Sequence, residues 1–194
     1  MASLIRRLCL TSAAGFWDLG HKVFRSTPES FPARFIPGDA FDESFLESGP
    51  IADSFTLSTI SKLDIASLTS LTPLRGKLSA IYNANLFHLF DEEKQEILAK
   101  KLASLLSPEP GSLIFGAHLA KTGSKGTVNA TIKHQTVQKI DVFCHCPESW
   151  NDLWEGIFGA GNVEVTTLMS RLDLKDLEFS GDSDNFMIWS VRHL

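Results

Sequence analysis

The stretch that most limits what this chain can fold into is Lys77–Gly116, KLSAIYNANLFHLFDEEKQEILAKKLASLLSPEPGSLIFG. Leu78 to Tyr82 reads as a strand and Ser112 to Phe115 as a second, ending at Gly116. Between them Ile97, Leu98, Leu102, Leu105 and Leu106 repeat at helical spacing, which predicts an amphipathic helix. Asp91, Glu92 and Glu93 open that helix, where the macrodipole favours carboxylates, and Pro108, Pro110 and Gly111 stop it. Strand, helix and strand at this length form a crossover, the unit from which parallel sheets are built. Ligands of such sheets bind outside the carboxyl ends of the strands, so Tyr82 to Asn85 is the first place to expect a site.

The remaining segments extend the same pattern. Phe16, Leu19, Gly20, Val23 and Phe24 recur at helical spacing before Pro28. Ala33 to Pro37 is a short apolar run that we expect to be a strand, followed by a loop carrying Asp39 and Asp42. Residues 43–76 are rich in Ser, Thr and Leu, and a short helix is expected among Leu57, Ile60, Leu63, Ile65 and Leu68. Residues 119–138 are polar, rich in Gly, Thr and Lys, and without period, so a long exposed loop is expected. Trp150, Leu153, Trp154 and Ile157 then predict a helix starting near Pro147, with Gly159 at its end. Val163 to Thr167 and Phe186 to Val191, separated by a polar link with an acidic turn over Gly181 to Asn185, predict an antiparallel pair. The fold class expected is α/β: one domain over 1–194, with a mostly parallel sheet and a C-terminal antiparallel β pair.

Composition narrows the function classes. A net charge of −5 with no run of like charges leaves no footprint for nucleic acid, so no nucleic-acid partner is expected. No apolar run reaches the roughly 18–20 residues of a membrane span, so no membrane partner is expected either. The N-terminus carries Arg6 and Arg7, but the apolar run Leu8 to Leu10 is too short for a signal peptide; it reads as the remnant of an amphipathic helix. Three cysteines form no disulfide framework, which fits a reducing, cytoplasmic setting. Cys144-His145-Cys146, with His134 upstream, lacks the second pair of ligands that a zinc site needs, so no metal is expected. No phosphate-binding Gly-x-x-x-x-Gly-Lys motif exists, which disfavours a nucleotide hydrolase.

Four pieces, in order, resemble the class I S-adenosylmethionine-dependent methyltransferases, and more closely the small fungal enzymes of secondary-metabolite (meroterpenoid-type) pathways. They are GFWDLGHKVFRS (Gly15–Ser26), ARFIPGDAFD (Ala33–Asp42), the Leu78–Gly116 crossover and HCPESWNDLWEGIFG (His145–Gly159). The resemblance implies a Rossmann-like sandwich, S-adenosyl-L-methionine as cofactor, and a small-molecule acceptor methylated on oxygen. It implies Asp39 and Ala40 beside the adenine, Asn83 and Ala84 on a crest lining the cofactor cleft, and His88 and the 119–146 loop facing the acceptor. Carboxylates suit the adenine side because they accept from its amino group. His88, between Phe87 and Leu89, has a buried, hydrogen-bonded role as its plain alternative.

The family's glycine-rich loop and the acid ending its second strand have no counterpart here. Before Gly15 only fourteen residues remain, and LIRRLCL resembles the helix that follows that loop. An incomplete sandwich with the first two strands missing is therefore expected. Its strand at Leu78 to Tyr82 would have an open edge, for a homodimer partner or another chain to cover. The alternative reading is a truncated, non-catalytic relative acting as a partner module or inactive gene product.

Overall fold

The computed structural model describes residues 14–53, 64–134, 136–171, 177–179 and 185–194. Helix α1 (Ala14–Phe24) is followed by an irregular arm, a 3-10 turn at Ile65–Ser67 and another at Thr72–Leu74. The crossover then runs as β1 (Ala80–Ala84), a 3-10 turn at Phe87–Leu89, α2 (Glu92–Leu105) and β2 (Leu113–Ala120). Strands β3 (Gly126–His134) and β4 (Thr136–Cys144), helix α3 (Pro147–Phe158), β5 (Val163–Arg171), β6 (Leu177–Phe179) and β7 (Asn185–His193) complete the order.

Two sheets result. The main one has the order β1-β2-β7-β5, and the second has the order β4-β3-β6. β1 and β2 are parallel, with Asn83 opposite Gly116, as a crossover through α2 requires. β7 then inserts antiparallel between β2 and β5. The chain is thus an α/β fold led by a parallel pair and closed by a C-terminal antiparallel pair, as expected. Parallel pairing among the described strands is confined to β1 and β2.

Helices α2 and α3 cover one face. Leu98, Leu102, Trp150 and Trp154 share a core with Ile81, Ile114, Met187 and Val191. On the opposite face Tyr82, Phe115, Ile188 and Leu168 are exposed on β1, β2, β7 and β5, with no described element packed over them. Gly116 is required at the seam, because a Cβ there would collide with the Asn83 carbonyl oxygen on β1.

Several expectations change. Ala33 to Pro37 forms no strand; it is irregular, with Ile36 buried. Apolar content alone does not make a strand without a neighbour to complete its hydrogen bonds, and Pro32 and Pro37 contribute no N–H to a ladder. The first strand starts two residues later than expected, Leu78 making an isolated parallel bridge to Leu106. Asn83 and Ala84 are therefore the end of β1, not a crest beyond it. β2 continues past Gly116 to Ala120. Most of the expected loop over 119–138 is instead the hairpin β3–β4, paired from Gly126–Cys144 to His134–Thr136. Ile97 is 37% exposed and lies off the buried stripe, whose polar members are Gln95, Lys101 and Ser104.

The expectations for residues 1–13, for Leu57, Ile60 and Leu63, and for most of the acidic turn before Asn185 fall outside the described residues, as do the side chains of Phe16 and His134.

Candidate active site

Parallel strands β1 and β2 end together, and the chain turns sharply there. Asn85 takes a left-handed conformation (φ 55°), which its short polar side chain tolerates better than most. The Asn85 N–H donates to the Ala117 carbonyl at 2.8 Å, fastening the bend to β2. The 3-10 turn Phe87–Leu89 follows, with Phe87 fully buried and His88 at its crest. Asp91 then caps α2, its carboxylate accepting from the Lys94 N–H at 2.9 Å. Gln95, buried one turn inside α2, donates through Nε2 to the carbonyls of Phe90 (2.9 Å) and Phe143 (3.0 Å). That amide holds the crest, α2 and β4 together.

The Leu119 N–H donates to His88 Nδ1 at 3.4 Å. An Nδ1 that accepts leaves the proton of the neutral ring on Nε2. Burial pushes the His88 pKa down, so the ring is neutral at pH 7. In this tautomer the His88 Nε2 carries the N–H.

The segment carrying Asp39 and Ala40 reaches this crest. Phe41 packs edge-on against Phe90, ring centroids 4.9 Å apart. Asp39 Oδ1 accepts from the Phe41 N–H at 2.9 Å, and Asp42 Oδ1 accepts from the Ser44 N–H and hydroxyl, both at 2.8 Å. Both carboxylates thus form local turns. Asp39 is exposed, and Ala40 packs partly buried against the core. The structure therefore brings the Asp39–Phe41 turn alongside the His88 crest, with Asn83 and Ala84 at the strand end that leads into it.

Beneath lies a polar cluster that sequence reading missed. His118 on β2 is buried, and its Nδ1 accepts from Trp189 Nε1–H at 2.9 Å. It packs tilted or edge-on against Phe87, Trp150 and Trp189, with centroids 4.5 to 5.8 Å away. His118 Nε2, Trp150 Nε1, Trp154 Nε1 and Asn83 Oδ1 are buried without a hydrogen-bond partner. Burial pushes the His118 pKa well down, and the nearby His88 and His145 imidazoles add to the effect. Trp150 and Trp154 are fully buried core residues. The signal for His118 was its place in the apolar run after Gly116, which was read as ending too early.

Cys144 and Cys146 are free and buried. Burial pushes the Cys144 thiol up to about 12, against the opposing pull of Lys121, so it is inert as a nucleophile. Among the described residues no group of three or more His, Cys, Asp and Glu side chains could hold a metal. A separate groove of about 390 Å³ runs along α2 and α3 past His145 and Asp152. It contains none of the five expected site residues, and the Lys125–Glu92 ion pair (2.6 Å) joins two of its walls.

This arrangement, a parallel crossover pair with an antiparallel strand inserted beside it, is similar in fold to solved methyltransferase structures. One solved structure shows the likeness: the Burkholderia thailandensis 1,6-didemethyltoxoflavin-N1-methyltransferase with bound 1,6-didemethyltoxoflavin and S-adenosylhomocysteine. It superposes with a TM-score of 0.52 at 8% identity, over 97% of this chain and 61% of that one. By sequence the chain is similar to fungal methyltransferases. O-methyltransferase phiE, of Fungal sp. (strain ATCC 74256), is 28% identical over 165 residues, 85% of this chain and 44% of the relative. Methyltransferase adrK of Penicillium roqueforti is 30% identical over 159 residues, 79% and 53% respectively. The chain thus spans about half the length of these curated relatives. No protein-family profile matches it.

Proposed function

We propose that the chain is a methyltransferase-like domain that takes S-adenosylmethionine and directs a methyl group to an oxygen of a small molecule. The observation that carries this is the joining of the Asp39–Phe41 turn to the His88 crest at the carboxyl ends of β1 and β2, through Phe41 on Phe90. The residues fit the cofactor on the side they supply. Asp39 offers an exposed carboxylate for an adenine amino group, and the orphaned Asn83 Oδ1 and the Ala84 backbone border the methionine end. Among the described residues no strand lies beyond β1, so the wall that a glycine-rich loop builds in this family is not among them.

When bound, the cofactor supplies an activated methyl group on sulfonium, so alignment of the acceptor dominates the protein's contribution. His88 donates from Nε2 to the acceptor oxygen and orients it. A neutral ring whose Nδ1 is occupied does not take a proton at Nε2, so the acceptor it suits is already ionised, as a carboxylate is at neutral pH. Phe87 and the tryptophans beneath exclude water from the crest.

Calorimetric titration with S-adenosylhomocysteine tests the reading. Saturable one-site binding is expected; a folded sample that binds none overturns it. A second copy of the chain covering the open β1 edge belongs to the same proposal. It is supported by the uncharged edge Ala80–Ala84 and by Tyr82, 69% exposed beside Phe115. No described helix is long and apolar enough to cross a membrane. The two free buried thiols favour a cytoplasmic location.

A further inference from the structure

Lys101 stands out among the buried groups. Its side chain is 3% exposed, on a face of α2 otherwise formed by Leu98, Leu102 and Leu105. A lysine is seldom buried so fully unless paired. Its ammonium donates to Glu43 Oε1 at 2.8 Å and to the Leu46 carbonyl, both in the turn that follows Asp39. Glu43 also accepts from the Ser48 hydroxyl (2.6 Å) and the Ser48 N–H (2.7 Å). The same turn is held from the far side, where the Phe45 carbonyl accepts from the Leu71 N–H at 2.8 Å. Within it, Asp42 accepts backbone bonds from Phe45 and Leu46, and its own N–H donates to the Asp39 carbonyl at 3.1 Å. A connected path therefore runs from the α2 ammonium through Leu46 and Asp42 to Asp39, and through Phe41 to Phe90 at the crest.

We infer that Lys101 is the positioning residue of the Asp39 loop: by clamping Glu43 and Leu46 to α2, it sets Asp39–Phe41 against the His88 crest. The inference rests on reading Asp39–Ala40 as the adenine border. The clamp is long-range, joining residues 55 and 58 positions apart. It fixes a loop that has no strand to hold it, since Ala33 to Pro37 lies outside any sheet. α2 is the natural anchor because its other end carries Asp91 and Gln95, which fix the crest. One rigid helix thus sets the spacing of both halves of the site.

The test uses two variants of the full chain. Lys101→Met keeps the apolar stem and removes the ammonium; Glu43→Ala removes its exposed partner and leaves the core untouched. Amide hydrogen exchange is followed by mass spectrometry, and S-adenosylhomocysteine binding by calorimetry. Exchange of amides 41–48 should rise about tenfold or more in Lys101→Met and less in Glu43→Ala, as expected for loss of hydrogen bonds to a charged donor. Amides of β2 and β7 should be unchanged, and affinity should weaken in the same order. Unchanged exchange in both variants overturns the inference. So does a uniform rise across the sheet in Lys101→Met, which would mark a core residue and nothing more, or a loosened loop with unaltered affinity. Absence of binding by the unsubstituted chain is a separate result: it overturns the reading of the site and with it the cofactor half of the inference, while the exchange data still decide the clamp.

Discussion

His88 illustrates how one backbone bond sets the chemistry of a side chain. With Nδ1 accepting from Leu119, the ring presents a donor, and protonation would have to displace that bond. His88→Ala should leave S-adenosylhomocysteine affinity unchanged while lowering kcat/KM for the acceptor by about 10- to 100-fold, measured in a radiolabelled methyl-transfer assay. A loss confined to cofactor affinity would place His88 on the other side of the cleft. At this scale, Asp39 and Asn83 were legible as polar groups at the ends of apolar runs. Gln95 and Lys101 were not, although each sits at i−3 or i+3 from Leu98, inside the apolar stripe. A polar residue on such a stripe signals a buried partner, but the partners, Phe143 for one and Glu43 for the other, are distant in sequence.

Among the elements, α2 and α3 were legible because their periodicity coincides with local capping. Asp91→Ala should destabilise the fold by about 1 kcal/mol in urea denaturation, with the slope unchanged, since it removes only the α2 cap. The hairpin β3–β4 was misread as a loop because most of its residues are polar. Among its described side chains, Val128, Val142 and Cys144 form a small cluster with Leu119 and Phe186. The period-two alternation around Thr127, Val128 and Asn129, with its β-branched residues, was the available signal. Ala33 to Pro37 shows the converse error, because strand formation is decided by a neighbour that no local pattern reveals.

Over the whole molecule, the buried imidazoles link stability to pH. Burial pushes the His145 pKa down to about 4, with repulsion from Lys125 adding to it and Glu92 opposing. His118 moves the same way. Between about pH 6.5 and 4 the unfolded chain therefore binds more protons than the folded one, so stability is full above 6.5 and falls as pH drops through that window. Each such group steepens the fall by up to about 1.4 kcal/mol per pH unit. Urea midpoints at pH 7.5, 6 and 5 should decline accordingly, and His145→Gln should flatten the decline. The open sheet face has its own test: light scattering should show concentration-dependent association, reduced by Tyr82→Lys.

The four tryptophans divide into two optical reporters. Trp150, Trp154 and Trp189 lie within 4.9 to 6.0 Å of one another in the buried core, close enough for exciton coupling in the near-ultraviolet circular dichroism. Trp17 lies apart, on α1, stacked at 5.2 Å on Phe35 in the arm that leads to Asp39. Loss of the coupled signal would therefore time the melting of the sheet, while quenching or a red shift of Trp17 emission, isolated by replacing the other three with Phe, would time release of the arm. The chain carries its own means of showing whether the two come apart in one step or two.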